Sequence, residues 1–256
     1  MTIFFILKNL HYLFRRSVLN RIYIKFSYIK EFAKDFDINL TSVIKKVIYS
    51  EVLNKKNEFL IKKYQNYVNN KYKFSYDDWF SSNYNIWQKL FNDKNLRNKK
   101  INYLEIGSFE GRSTIFIAEF LIKANLYTVD TFKGSDEHNK IDFNLVYKNF
   151  KDNTKYFSKR LTINRMSSKK FFKINKNKFD LIYIDGSHFS VDVKNDFNNS
   201  LKIANKDCII ILDDLLWNFY KNKKNNPISG IFPILSKNKD ILKIIHINNQ
   251  LIVQKI

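Results

Sequence analysis

The sequence predicts an α/β fold built on a mostly parallel sheet, and three observations predict it. The apolar run Ile101–Ile106 breaks at Gly107 and Gly111 and is followed by Ile115, Ile117, Ala118, Leu121 and Ile122 at helical spacing. Strand, glycine turn, helix is how an α/β protein presents backbone N–H groups and a helix start to a ligand. Strand and helix patterns then alternate from residue 101 onward, which implies βαβ units with right-handed crossovers. Finally, the chain has only five glycines, Gly107, Gly111, Gly134, Gly186 and Gly230, and at least three of them follow predicted strands or sit in the turn just beyond. A chain so poor in glycine keeps it where backbone geometry or close ligand approach leaves little choice.

Taken in order, residues 1–30 hold six basic residues, Lys8, Arg15, Arg16, Arg21, Lys25 and Lys30, and no acid. Apolar residues recur near helical period at Ile3, Ile6, Leu7, Leu10, Leu13, Phe14 and Val18. A basic amphipathic helix of this kind fits an anionic membrane surface, or packing on its own domain or on a second subunit; packing is the simpler reading. Residues 31–70 continue helical, with Val43, Ile44, Val47, Ile48 and Val52 as the apolar face and Lys55, Lys56, Lys62 and Lys63 solvated. Residues 1–70 are therefore expected to form a helical extension, and 71–256 a single domain. An aromatic cluster, Phe74, Trp79, Phe80, Tyr84 and Trp87, precedes the first strand and suits either a cap on the core or a lid over a ligand.

The strands are expected at Ile101–Ile106, Leu126–Val129, Leu161–Ile163, Phe179–Ile184 and Cys208–Leu212. The helices between them fall at Ser113–Ile122, Asn144–Asn153, Ser167–Phe172 and Val191–Ile203. The tail differs: a short helix at Ile231–Ser236, then strands Ile241–Ile247 and Leu251–Lys255 joined through Asn248-Asn249, a hairpin turn in which Asn tolerates positive φ. One antiparallel strand thus ends an otherwise parallel sheet.

Composition narrows the class. The chain has 256 residues and a net charge of +21, of which residues 1–100 carry +12 and the rest +9, so charge is spread rather than blocked. Spread charge in a Lys-, Asn- and Ile-rich chain reads as compositional drift more than as a nucleic-acid surface, although it favours anionic partners. The single Cys208 excludes a disulfide framework, which fits a cytoplasmic setting. Ile3–Leu7 falls short of the roughly 20 apolar residues a membrane span needs.

The motifs locate the chemistry. A dinucleotide fingerprint needs glycines where Phe109 and Arg112 stand, and no P-loop occurs. Asp130 ends the second strand 23 positions beyond Gly107, about where a ribose-binding carboxylate falls, roughly 20 residues on. The layout, with Leu104-Glu105-Ile106-Gly107 and a closing hairpin, resembles the Rossmann-like class I S-adenosylmethionine-dependent methyltransferases. More narrowly it is similar to a bacterial family that pairs LEIGSxEGRST with DxIYIDGSH and a later DD, here Asp180–His188 and Asp213-Asp214.

The resemblance implies S-adenosylmethionine as cofactor. Glu105, Gly107, Ser108, Gly111, Arg112 and Ser113 would line its amino-acid part, with backbone N–H groups toward the carboxylate and Glu105 toward the cationic side; a turn-capping carboxylate is the plainer alternative for Glu105. Asp130 would accept the ribose hydroxyls, Thr131 and Phe132 would follow it with Phe132 on adenine, and Ser167 would lie at the adenine edge or serve only as an N-cap. Asp185, Asp213 and Asp214 end the fourth and fifth strands; strands about 4.8 Å apart let such carboxylates converge. They would hold Mg²⁺ or another divalent cation, or form a metal-free cluster. His188 would take a proton from the acceptor hydroxyl, or only bind cofactor or substrate. Methyl transfer to an oxygen of a small hydroxylated compound or sugar is the expected activity. A nucleic-acid methyltransferase and a non-catalytic scaffold are the rivals.

Overall fold

A computed structural model of the protein describes residues 2–33, 36, 38–135, 138 and 140–256; the side chains of Thr2, Ile3, Phe4 and Leu10 fall outside the described set, and with them the expected roles of Ile3 and Leu10. In chain order the helices and strands are α1 (Thr2–Lys8), α2 (Leu10–Leu13), α3 (Arg16–Ala33), α4 (Leu40–Lys56), α5 (Glu58–Lys71), α6 (Tyr84–Asp93), β1 (Asn102–Ile106), α7 (Arg112–Phe120), β2 (Asn125–Asp130) and α8 (Phe143–Thr154). They continue as β3 (Leu161–Arg165), α9 (Ser168–Ile174), β4 (Phe179–Ile184), α10 (Ser190–Ile203), β5 (Ala204–Leu212), α11 (Pro227–Lys237), β6 (Leu242–Ile247) and β7 (Leu251–Lys255). Capping residues fix several starts. Asn39, Asp142 and Ser167 each accept a backbone N–H from the first turn of α4, α8 and α9, and Pro227 opens α11.

The strands form a seven-stranded sheet in the order β3-β2-β1-β4-β5-β7-β6. β1 pairs in parallel with β2 and β4, and β2 with β3, while β7 runs antiparallel to both β5 and β6. The last strand in sequence therefore does not close the sheet. It slots between β5 and β6, leaving β6 at the edge.

The chain divides into two compact units, residues 59–187 with 203–205, and residues 1–58 with 188–202 and 206–256. In the first, β1 and β4 are apolar on both faces: Tyr103, Leu104, Ile106, Leu181, Ile182, Tyr183 and Ile184 are all buried. Trp87 packs edge-on against Tyr183, and Phe80 and Phe116 close round it, so part of the aromatic segment caps the core. Trp79, by contrast, is 54% exposed.

In the second unit α3 buries Val18, Ile22, Ile29 and Ala33, and α4 buries Val43, Val47 and Val52. Between them Glu51 accepts from Arg21 Nε and Lys25 Nζ, both at 2.7 Å, and from Asn248 in the β6–β7 loop. Two of the six cations in residues 1–30 are thus consumed inside the unit, as packing on the chain itself requires. The single apolar face expected over residues 3–18 does not form. The helix breaks into α1, α2 and α3, and Val18 turns inward while Leu7 and Phe14 face solvent.

Candidate active site

Gly107 and Gly111 shape the turn after β1. Both adopt left-handed backbone, with φ of 84° and 87°, and Gly111 caps α7. A Cβ at Gly107 would collide with the carbonyl oxygen of Asp185, whose own N–H donates to Ile106 O at 2.7 Å. Only glycine satisfies both the sign of φ and this approach.

The turn is organised by carboxylates. Asp130, at the end of β2, accepts from Ser108 N at 2.8 Å and Phe109 N at 3.0 Å through one oxygen, and from Phe132 N at 2.7 Å through the other. Glu105 is fully buried beneath the turn, where the hydroxyls of Ser113 and, at 2.6 Å, Thr114 donate to it. Burial pushes its pKa up to about 8 against the pull of those two hydroxyls, and the nearby Asp185 and Asp130 carboxylates add to the rise. The geometry favours the turn-holding reading of Glu105 and makes Ser113 its partner. Ser108 Oγ is buried and finds no partner among the described residues, an acceptor and donor left over at the mouth of the turn.

Other expected cofactor contacts are engaged elsewhere. The Arg112 guanidinium stacks on Phe74 at 3.7 Å and reaches Asn69 Oδ1 at 3.0 Å and Asp78 at 3.4 Å. The Phe132 ring is buried among Val146, Phe150 and Tyr147. Thr131 Oγ1 accepts from Lys133 N, and Ser167 takes its N-cap role on α9.

Glu110, a fixed letter of the LEIGSxEGRST motif to which the sequence gives no role of its own, is buried and accepts from Ser75 N, Tyr76 N and Asn149 Nδ2. Asn153 adds bonds to Lys73 N and O and to Glu110 O. These bonds fasten residues 73–76 to the glycine turn. The only trace in the sequence is an acid between two turn glycines and two asparagines four apart on α8. Above the turn, Phe109, at φ 47°, meets Tyr76, Trp79, His138 and Phe143 with ring centroids 5.0–6.4 Å apart. His138, without context in the sequence, gains one here.

At the end of β4, Asp185 accepts from Tyr183 OH at 2.9 Å. In the other unit the two acids after β5 part company. Asp213 accepts from Gln250 Nε2 at 2.8 Å and from the N–H of Asp214, whereas Asp214, at φ 49°, holds an oxygen 3.1 Å from His188 Nε2. Trp217 lies beside the His188 ring at 5.1 Å, a neighbour the sequence does not announce. The Asp213–Asp214 pair therefore does not present two parallel carboxylates: the first belongs to the hairpin and the second to the histidine.

Residues 104–215 match the sequence profile of a methyltransferase domain. The match runs from β1 to just past Asp214, and over that stretch the chain is similar to the family. No curated relative matches the chain. Among solved structures, the chain is similar in fold to a Staphylococcus aureus protein assigned as a caffeoyl-CoA O-methyltransferase, at 14% identity, covering 80% of this chain and 98% of that one with a TM-score of 0.54. It is also similar to an O-methyltransferase of Bacillus cereus solved with SAH, at 18% identity, covering 84% and 99% with a TM-score of 0.50. A Klebsiella pneumoniae protein assigned as an O-methyltransferase gives 16% identity over 71% and 83% with a TM-score of 0.51.

Proposed function

We propose that the chain transfers the sulfonium methyl of S-adenosylmethionine to a hydroxyl oxygen of a small acceptor. The observation that carries this reading is the junction of β1, β2 and α7, where the left-handed Gly107 turn and the Asp130 carboxylate are locked together at one sheet edge. That edge is the ligand crevice of open α/β sheets. The residues suit this cofactor: the buried Ser108 hydroxyl has bonding capacity to spare, and the Asp130 oxygen facing Phe132 N accepts one bond among the described residues, leaving lone pairs for a ribose hydroxyl. The α7 start carries partial positive charge toward the cofactor carboxylate.

The bound cofactor supplies a methyl group already activated by the sulfonium, so the protein's work is alignment and deprotonation. His188 takes the acceptor's proton. Asp214, 3.1 Å from Nε2, fixes the ring and stabilises the imidazolium that forms. Asp185, three residues before His188, orients the acceptor. By the resemblance, strand-end carboxylates of this kind would hold a divalent cation, which would acidify the hydroxyl; Asp214 faces His188, and Asp213 is committed to Gln250.

Titration calorimetry with S-adenosylmethionine tests the reading: heat of one-site binding supports it, and the absence of binding for folded protein overturns it. Activity that survives exhaustive chelation, with no metal recovered, removes the cation and leaves the His188–Asp214 pair to act alone.

A further inference from the structure

Sixteen large apolar side chains stand exposed among the described residues, and five of them, Leu7, Phe14, Leu19, Tyr23 and Ile24, fall within eighteen residues at the start of the chain. Isolated exposed apolar residues are ordinary, but such a concentration marks a surface made to be covered. On α3, Arg16, Leu19, Tyr23 and Lys30 follow one another at offsets of 3, 7 and 14, so they form one exposed stripe, about a third of a turn round the helix from the buried Val18, Ile22 and Ile29. Phe14, 71% exposed, and Arg15 stand just before that stripe begins.

The charges around the stripe are of one sign. With Arg21 and Lys25 taken by Glu51, the cations left in this segment are Lys8, Arg15, Arg16 and Lys30, and residues 1–30 contain no acid. Glu31, the first acid met, is 2.6 Å from Lys223. We propose that this face of α1–α3 docks on an anionic lipid bilayer surface, with the apolar side chains entering the headgroup boundary and the four cations meeting lipid phosphates and carboxylates. No described helix is long and apolar enough to cross a membrane, so the attachment is peripheral. A second copy of the chain is a poorer occupant. A two-fold contact would set this unrelieved positive face against itself, and like charges repel.

The test is flotation of the full chain with vesicles of phosphatidylcholine alone and with roughly one-third phosphatidylserine added, at low and at moderate salt. The protein is expected to float with the anionic vesicles only, and less so as salt rises. Each basic residue near the surface is worth about fivefold, so Arg15→Glu with Arg16→Glu should lower the partition by at least about 25-fold, while Arg15→Lys with Arg16→Lys keeps it. Phe14→Ser with Tyr23→Ser should also release the protein. These side chains are exposed, so an unchanged circular dichroism spectrum confirms that the variants are folded. Equal recovery with both vesicle types, or with neither, overturns the proposal. So does a dimer in sedimentation velocity that the charge-reversal pair dissolves while vesicles go unbound.

Discussion

The turn after β1 and the turn after β5 both gather acids at the end of a strand, and they use them in opposite ways. After β1, the carboxylates of Asp130, Glu105 and Glu110 are occupied by backbone N–H groups, hydroxyls and an amide, so the acids are the scaffold. After β5, one acid is given to the hairpin and the next is set against an imidazole. A carboxylate bonded to backbone N–H groups fixes the turn and contributes rigidity, whereas a carboxylate facing a titratable ring can share a proton. On the function proposed above, the first turn would serve binding and the second proton transfer.

The largest expected effect breaks the first turn. Gly107→Ala combines a left-handed φ with a backbone collision and should destabilise by about 3–5 kcal/mol, read as a fall in denaturation midpoint; an unchanged midpoint would mean that the close approach to Asp185 is not formed. His188→Ala should lower kcat by about 10²–10⁴-fold and leave the affinity for S-adenosylmethionine unchanged, in single-turnover and calorimetric assays. Asp130→Ala should do the reverse, weakening cofactor affinity by about 10-fold or more as Ser108 N and Phe109 N lose their acceptor.

A pH series sharpens the contrast. The folded-state pKa of Glu105 is raised from 4.5 to about 8, so the folded protein keeps a proton that the unfolded chain releases. The Glu105 contribution to stability therefore falls as pH rises through that window, and Glu105→Gln should flatten the slope in thermal melts between pH 5 and pH 8. His246, in the other unit, has the opposite sign. Burial, with Lys25 and Lys46, pushes it down to about 3 from 6.5, so stability is lost as pH falls below 6.5 and the unfolded chain takes up the proton. The smallest effect is expected from Asp213→Asn, with turnover within about twofold, because its carboxylate bonds Gln250 and not the histidine. A loss as large as that of Asp214→Asn would restore Asp213 to the reacting centre.

Much of this was legible because it is local. The run Ile101–Ile106, the two glycines and the apolar spacing beyond them specify strand, turn and helix through φ sign and periodicity alone, and Phe179–Ile184 was readable to the residue. The N-terminal helix was misjudged as continuous because a period drawn across a break near Asn9 and Arg15 has no physical hold on the next helix. Side-chain direction was not legible either. Phe132, Arg112 and Asp213 stand at positions that suit a ligand, yet a core, an aromatic face and a distant glutamine claim them. The anchoring role of Glu110 and the place of Trp217 beside His188 are hidden for the same reason, since their partners come from other segments of the chain.

By itself the sequence determined the order of elements, the glycine turn and the list of acids and histidine that reach the sheet edge, since backbone conformation and hydrophobic period are properties of neighbouring residues. Which acid holds the turn, which one faces His188 and where the last strand inserts were decided only in the tertiary structure. Those choices depend on which donors arrive from remote segments, and a buried carboxylate goes to whichever of them satisfies it.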